Sequence, residues 1–97
     1  MTTIKDFEYA LKELGFEDTT PEEYYSDLTI DYKIEYSKDF SNFSAHVSIT
    51  DDYIRILAFK GSKIDSYELK VRVFINIVTN PIVWITKILK RLSKGVL

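Results

Sequence analysis

The side chain best suited to acid–base chemistry in this chain is that of its single histidine, His46. An imidazole can exchange a proton near neutral pH and can activate a neighbouring hydroxyl. Ser44 and Ser48 lie two residues away on either side, so in a strand all three side chains share one face. No glycine-rich nucleophile elbow accompanies them. We therefore expect no catalysis at His46 and predict that the protein is not an enzyme.

Metal and redox chemistry have few candidate ligands in the sequence. The chain of 97 residues contains no cysteine, which excludes a disulfide, a thiolate zinc site and a cysteine nucleophile. The pair Asp51-Asp52 is predicted to form a turn, because its side chains diverge and no third carboxylate has suitable spacing. Glycine motifs that bind phosphate or dinucleotides are absent. We expect no metal ion and no cofactor.

Acidic residues are concentrated in the first half of the chain. Residues 1–52 hold 13 Asp and Glu against 4 Lys and Arg, a net charge of −9, and residues 53–97 hold 2 against 9, a net charge of +7. An anionic surface steers association with a cationic partner. The simpler alternative is a solvated face that also complements a helix dipole. The predicted partner-binding residues are Glu17, Asp18, Glu22, Glu23, Asp27, Asp31 and Glu35.

Basic residues of the second half form an alternative surface, namely Arg55, Arg72, Lys87, Lys90, Arg91 and Lys94. The last four share a predicted C-terminal helix with an apolar stripe made by Ile82, Ile85, Leu89 and Leu92. This pattern is typical of a core helix whose last turn carries cations. The alternatives are an interfacial membrane helix with Trp84 at the boundary, or a helix that contacts phosphates.

A third candidate surface is the outer face of the predicted sheet, where basic groups alternate with apolar ones. Such a face can stack single-stranded bases. The alternative is a second packing layer or a homodimer interface. The residues on this predicted face are Lys33, Arg55, Lys70 and Arg72 together with Tyr53, Leu57, Phe59 and Phe74.

The first elements that must position these groups are two helices. Residues 4–14 carry an apolar stripe at helical spacing, Thr3 and Asp6 form a predicted capping box, and Gly15 ends the helix in a Schellman motif that folds Phe16 back. The segment Thr20-Pro21-Glu22-Glu23 repeats the capping pattern and predicts a short second helix.

Alternating apolar residues then predict strands near 30–36, 43–49 and 54–58. A two-residue loop at Asp51-Asp52 pairs Ile49 with Ile54 and Val47 with Ile56, which keeps every inward residue opposite another. Gly61-Ser62 predicts the next turn. A fourth strand is predicted from Leu69 to Val78, although the same residues also match a helical stripe. Asn80-Pro81 then begins a helix that runs to about Ser93, with Gly95 ending it.

Together these elements predict one α+β domain over residues 1–97, with a meander-like antiparallel sheet of four strands and helices packed on its apolar face. The N-terminal residues lack a secretory signal pattern, and the uncharged stretch 73–86 is too short to span a bilayer. We therefore expect a cytoplasmic protein.

The favoured functional hypothesis is a small non-enzymatic protein whose acidic surface inhibits or modulates a larger, nucleic-acid-binding partner. In size and composition the chain is similar to phage-encoded anti-defence inhibitors, including anti-CRISPR proteins, which would place it in the host cytoplasm. The alternatives are a peripheral membrane protein that uses the basic C-terminal helix, and a single-stranded nucleic-acid binder that uses the basic and aromatic sheet face.

Overall fold

A computed structural model describes residues 2–21 and 33–97. Within these ranges a five-stranded antiparallel sheet carries three helices, so the predicted α+β class is confirmed, with one strand more than expected. The predicted short second helix lies beyond Pro21, outside the described residues. In chain order the elements are α1 (Ile4–Glu13), β1 (Glu17–Asp18), β2 (Lys33–Asp39), β3 (Ser44–Thr50), β4 (Tyr53–Lys60), β5 (Lys63–Lys70), α2 (Val71–Ile77) and α3 (Pro81–Val96).

The two ends of α1 are built as predicted. Thr3 Oγ1 accepts a hydrogen bond from Asp6 N at 3.2 Å, and Asp6 Oδ2 accepts one from Thr3 N at 2.8 Å. Gly15 has a φ of 87°, and Phe16 N donates to Leu11 O at 2.9 Å, which completes the Schellman motif. These caps fix where α1 begins and ends, and its buried residues are Phe7, Ala10 and Leu11.

The sheet order is β1-β2-β3-β4-β5, so each strand pairs with its neighbours in sequence. The predicted β3–β4 register is confirmed, with Ile49 opposite Ile54 and Val47 opposite Ile56. The β4–β5 turn is at Gly61, whose φ of 59° is the positive value that a type II′ hairpin requires at its first central residue.

The last strand lies earlier in the sequence than predicted, and the strand prediction for residues 69–78 is wrong beyond Lys70. The β5 ladder ends where Lys70 faces Tyr53, the first residue of β4, so the following residues have no strand to pair with. Val71 N instead donates to Asp52 O at 2.9 Å, and the chain enters α2. The competing helical interpretation is the correct one for residues 71–77.

The core lies between the apolar face of the sheet and the helices. Asn80 caps α3 through Val83 N at 3.3 Å, and Pro81 occupies the first turn, both as predicted. Two details of α3 differ from the prediction. Gly95 does not end the helix, which continues to Val96, and Ile82 is 40% exposed and lies outside the buried stripe. The buried residues of α3 are Ile85, Ile88, Leu89, Leu92 and Val96.

Within residues 2–21 and 33–97, no single helix is both long enough and apolar enough to cross a membrane. Helices α2 and α3 reach that length and hydropathy only when taken together, and they are bent by 117° at the break between them.

Candidate functional site

Four cations lie on the exposed side of α3 and form the basic half of the candidate site. Lys87, Lys90, Arg91 and Lys94 recur at helical spacing, so they project from one side of the helix. All four are exposed, and none makes an ion pair with another residue of the described ranges. The opposite side of α3 is buried on β4 and β5. The sheet therefore fixes the direction in which these charges face solvent.

Exposed aliphatic side chains continue this surface around the bend between α2 and α3. Val83 is 46% exposed and Ile77 is 61% exposed, and both line a cavity of about 180 Å³ together with Lys87. Val73 lies one helical turn before Ile77 and is also exposed. We call the surface formed by Val73, Ile77, Val83, Lys87, Lys90, Arg91 and Lys94 the basic–apolar face.

Trp84, which the membrane hypothesis placed at the boundary, is half-buried and lines the cavity that Ile77, Val83 and Lys87 also line. Its ring makes edge contacts with Phe74 at 5.3 Å and with Phe7 and Tyr67 at 6.0 Å between centroids. Trp84 is thus a packing residue that joins α1, α2 and β5. Sequence reasoning missed Val73 and Ile77 as surface residues because it favoured a strand there, and the unused helical stripe was the signal that could have found them.

The outer face of the sheet keeps part of the predicted basic and aromatic surface, since Tyr53, Leu57 and Phe59 lie on it beside Arg55. Two predicted members lie elsewhere. Phe74 is fully buried and Arg72 is exposed, and both belong to α2 rather than to the sheet. The remaining predicted cations have acidic partners. Arg55 Nη2 lies 2.8 Å from Glu68, Lys70 lies 2.7 Å from Asp52, and Lys33 lies 3.3 Å from Glu35. The hydrogen bond to Glu68 and the charge of that carboxylate raise the pKa of Arg55 above its ordinary value. These pairs leave less positive charge for a nucleic-acid backbone.

His46 belongs to a polar network that crosses β1, β2 and β3. Its Nδ1 lies 3.0 Å from Ser37 Oγ, and its Nε2 lies 3.5 Å from Glu35 Oε1. Ser37 Oγ is shared with Thr19 Oγ1 at 3.0 Å, and Glu35 is shared with Lys33. The partner of His46 is therefore a serine on the neighbouring strand, not Ser44 or Ser48. No sequence signal pointed to Ser37, because cross-strand neighbours are set by register.

The predicted acidic residues are distributed over different environments. Glu17 and Asp18 are exposed on β1, at one edge of the sheet. Glu35 is only 15% exposed and is ion-paired, so it offers little free charge to a partner. A polar groove of about 400 Å³ lies beside Glu17 and is also lined by Asp39. Glu22, Glu23, Asp27 and Asp31 lie outside the described residues.

Consecutive strands are neighbours in the sheet, so strands that are far apart in the chain are also far apart across the sheet. Neighbouring strands are about 4.8 Å apart, which puts β1 and β5 about 19 Å apart. Helix α3 packs on β4 and β5, the end away from β1. The exposed acids of β1 therefore lie several strands away from β4 and β5, although Lys90 of α3 borders a groove that also includes Phe16, the residue before β1. Comparison with known proteins finds no family model, no curated protein and no solved structure that matches this chain.

Proposed function

We propose that the protein is a non-enzymatic, peripheral membrane-binding protein that contacts an anionic lipid surface through the basic–apolar face. The observation that carries the proposal is the row of four exposed cations along α3, the first of which, Lys87, lines a cavity together with the exposed aliphatic residues Ile77 and Val83. Interfacial binding combines these two features, since aliphatic side chains enter the acyl boundary while Lys and Arg remain at the headgroups.

The size of the interaction is modest. Each Lys or Arg near an anionic membrane contributes about 1 kcal/mol, so four cations contribute about 4 kcal/mol. That energy alone corresponds to a Kd of about 1 mM. Burial of the exposed parts of Val73, Ile77 and Val83 adds about 25 cal/mol for each Å² removed from water. Binding is therefore expected to be reversible and to need both components.

A lipid surface fits this face better than a nucleic acid does. Phosphate contacts need only the cations, and base stacking needs an exposed aromatic ring beside them. The aromatic residue of α3 is Trp84, whose ring packs against Phe7 and Phe74. Trp84 lines the same cavity as Lys87 but is half-buried, and the exposed hydrophobic residues there are the aliphatic Ile77 and Val83. An aliphatic surface favours acyl chains over bases.

The proposal is tested by flotation of the purified protein with phosphatidylcholine vesicles that do or do not contain phosphatidylglycerol. We expect binding only to the anionic vesicles. Lys87→Glu combined with Lys94→Glu is expected to abolish it, and Ile77→Ser is expected to weaken it. The matched control is Lys60→Glu combined with Lys63→Glu, which makes the same charge change at the exposed β4–β5 turn.

Equal loss of binding in the control variant would mean that net charge alone attracts the protein to the vesicles. Absence of flotation with anionic vesicles, together with a mobility shift of single-stranded DNA at low salt, would assign the cations to nucleic acid instead. Either result contradicts the membrane proposal.

A second candidate function is the docking of a basic, nucleic-acid-binding protein on the acidic first half, as in an anti-defence inhibitor. It is favoured by the exposure of Glu17 and Asp18 at one edge of the sheet. Glu17→Lys with Asp18→Lys, and separately Glu22→Lys with Glu23→Lys, would weaken such a complex. A partner that both double variants bind like the wild type would argue against docking at these residues.

A further inference from the structure

A second concave surface lies on the other side of α3, between that helix and the β2–β3 connection. It is a half-open groove of about 270 Å³ that is lined mainly by apolar side chains. Phe40 and Phe43 stack with their ring centroids 4.6 Å apart, and Phe16 meets Phe40 edge-on at 6.3 Å. Leu89 contributes the α3 wall. The volume is just below the range of about 300–1,000 Å³ that is typical of drug-sized ligands, so the groove suits a small one.

The charged groups at the rim of this groove are both cations, Lys38 and Lys90. Lys38 Nζ donates to Leu14 O at 2.5 Å and lies 4.9 Å from the centroid of the Phe40 ring. An ammonium group has three donors, so this hydrogen bond leaves two for a ligand. Lys90 is exposed and makes no ion pair within residues 2–21 and 33–97. Among the described residues, no carboxylate lines the groove beside either cation.

We infer that this groove binds a small carboxylate with an apolar body, such as a medium-chain fatty acid. The chain would lie on the three phenylalanine rings and Leu89, and the carboxylate would face the two ammonium groups. An apolar floor with a cationic rim matches an amphipathic monoanion better than a neutral apolar molecule or a compact polar anion. The site is separate from the basic–apolar face, although Lys90 borders both surfaces.

The experiment is an NMR titration of the full chain with sodium decanoate, kept below its micelle-forming concentration. We expect saturable shifts at the ring signals of Phe16, Phe40 and Phe43. Lys90→Glu should weaken binding about fivefold, because it replaces an attractive charge pair with a repulsive one. The matched control is Lys87→Glu on the same helix, which does not line the groove. It should leave the Kd within about twofold.

A groove-filling variant tests the apolar part without altering the core. Thr86 is exposed and lines the groove, so Thr86→Trp should block decanoate. Thr86→Ala removes only the γ-methyl group and the hydroxyl that donates to Ile82 O, and it should not block decanoate. Decanol that binds as tightly as decanoate would overturn the carboxylate assignment. Shifts confined to Val73 and Ile77, or equal weakening by Lys87→Glu and Lys90→Glu, would overturn the site itself. Vesicle binding by the Thr86→Trp variant reports on the membrane proposal separately.

Discussion

Gly95 illustrates how a single residue can have a role that its type does not reveal. In the sequence it is typical of a helix stop, yet it lies inside α3, where a Cβ atom would be 2.4 Å from Asp65 Oδ2 and 3.2 Å from Asp65 Cβ. The missing side chain allows the carboxyl of β5 to approach the helix backbone.

We predict that Gly95→Ala destabilises the protein by about 1–2 kcal/mol, because overpacking against Asp65 outweighs the gain in helix propensity. Urea unfolding of the wild type and the variant measures this change. In an Asp65→Ala background the same substitution should cost less, since the carboxylate is gone. A Gly95→Ala protein that is more stable than the wild type would contradict the prediction. It would show that the gain in helix propensity exceeds the cost of the contact between the new Cβ and Asp65.

Tyr9 and Glu13 lie one turn apart on α1 and form an exposed hydrogen-bonded pair. A hydrogen bond to the Glu13 carboxylate, together with its charge, raises the pKa of the Tyr9 phenol above its ordinary value. A raised pKa means that the pair favours the neutral phenol of the folded state. The contribution of the pair to the stability of the folded protein is fully present below the ordinary tyrosine pKa of about 10. It is lost as the pH rises through the raised pKa that Tyr9 has in the folded protein.

Glu13→Gln is therefore expected to lower the pKa of Tyr9, and an NMR titration of its ring signals measures the shift. Glu8→Gln is the matched control on the same helix, because Glu8 accepts its hydrogen bond from Tyr36 and not from Tyr9. The assignment is wrong if both variants shift the Tyr9 titration equally.

Among the elements, helix α2 differs most from what local sequence propensity predicts. The β-branched run from Val71 to Ile77 favours a strand by propensity, but β4 begins at Tyr53 and offers no further partners. A helix satisfies the backbone of these residues internally. It also directs Phe74 into the core, where its ring lies 5.2 Å from Phe7 and 5.3 Å from Trp84.

The two interpretations of this segment predict opposite effects for adjacent substitutions. In α2, Phe74 is fully buried and Val73 is 36% exposed. Phe74→Ala should therefore cost about 3–5 kcal/mol of stability, and Val73→Ala should cost under about 1 kcal/mol. A strand would bury Val73 and expose Phe74. Thermal unfolding of the two variants decides between them, and a larger loss for Val73→Ala would contradict the helix.

Strand β5 was missed because an edge strand that buries little has a weak pattern. Its inward positions Asp65, Tyr67 and Leu69 are only half-buried, and Ile64 on the outer face is 65% exposed. The charged residues along β5 are also typical of an edge that avoids pairing with other chains. The β3–β4 hairpin was predictable because both of its strands bury a full alternating set.

At the scale of the whole molecule, the sequential sheet preserves much of the charge gradient of the sequence. The separation of about 19 Å between β1 and β5 exceeds the Debye length of about 8 Å at physiological salt. Exposed charges on β1 and on β5 therefore interact only weakly. Within the described residues, the ion pair between Lys70 and Asp52 joins the two halves.

The proposed membrane binding should therefore depend strongly on salt. Raising the ionic strength from about 0.1 M to about 1 M shortens the Debye length from about 10 Å to about 3 Å. Vesicle affinity, measured by flotation at both concentrations, should fall by tenfold or more, about the effect of losing 1.4 kcal/mol of attraction. Ile77→Ser should weaken binding by a similar factor at both salt concentrations, because apolar burial is not screened. Salt-independent binding would argue against a role for the four cations.

By itself the sequence determined the local features of the fold: both ends of α1, the register of the β3–β4 hairpin and the start of α3. Each of these depends on residues that are close in the chain, where spacing fixes geometry. Only the tertiary structure decided where β5 ends, which residues of α2 are exposed and which serine meets His46. Those outcomes depend on strand partners that are distant in sequence, and residue type alone does not encode which backbone groups remain to be paired.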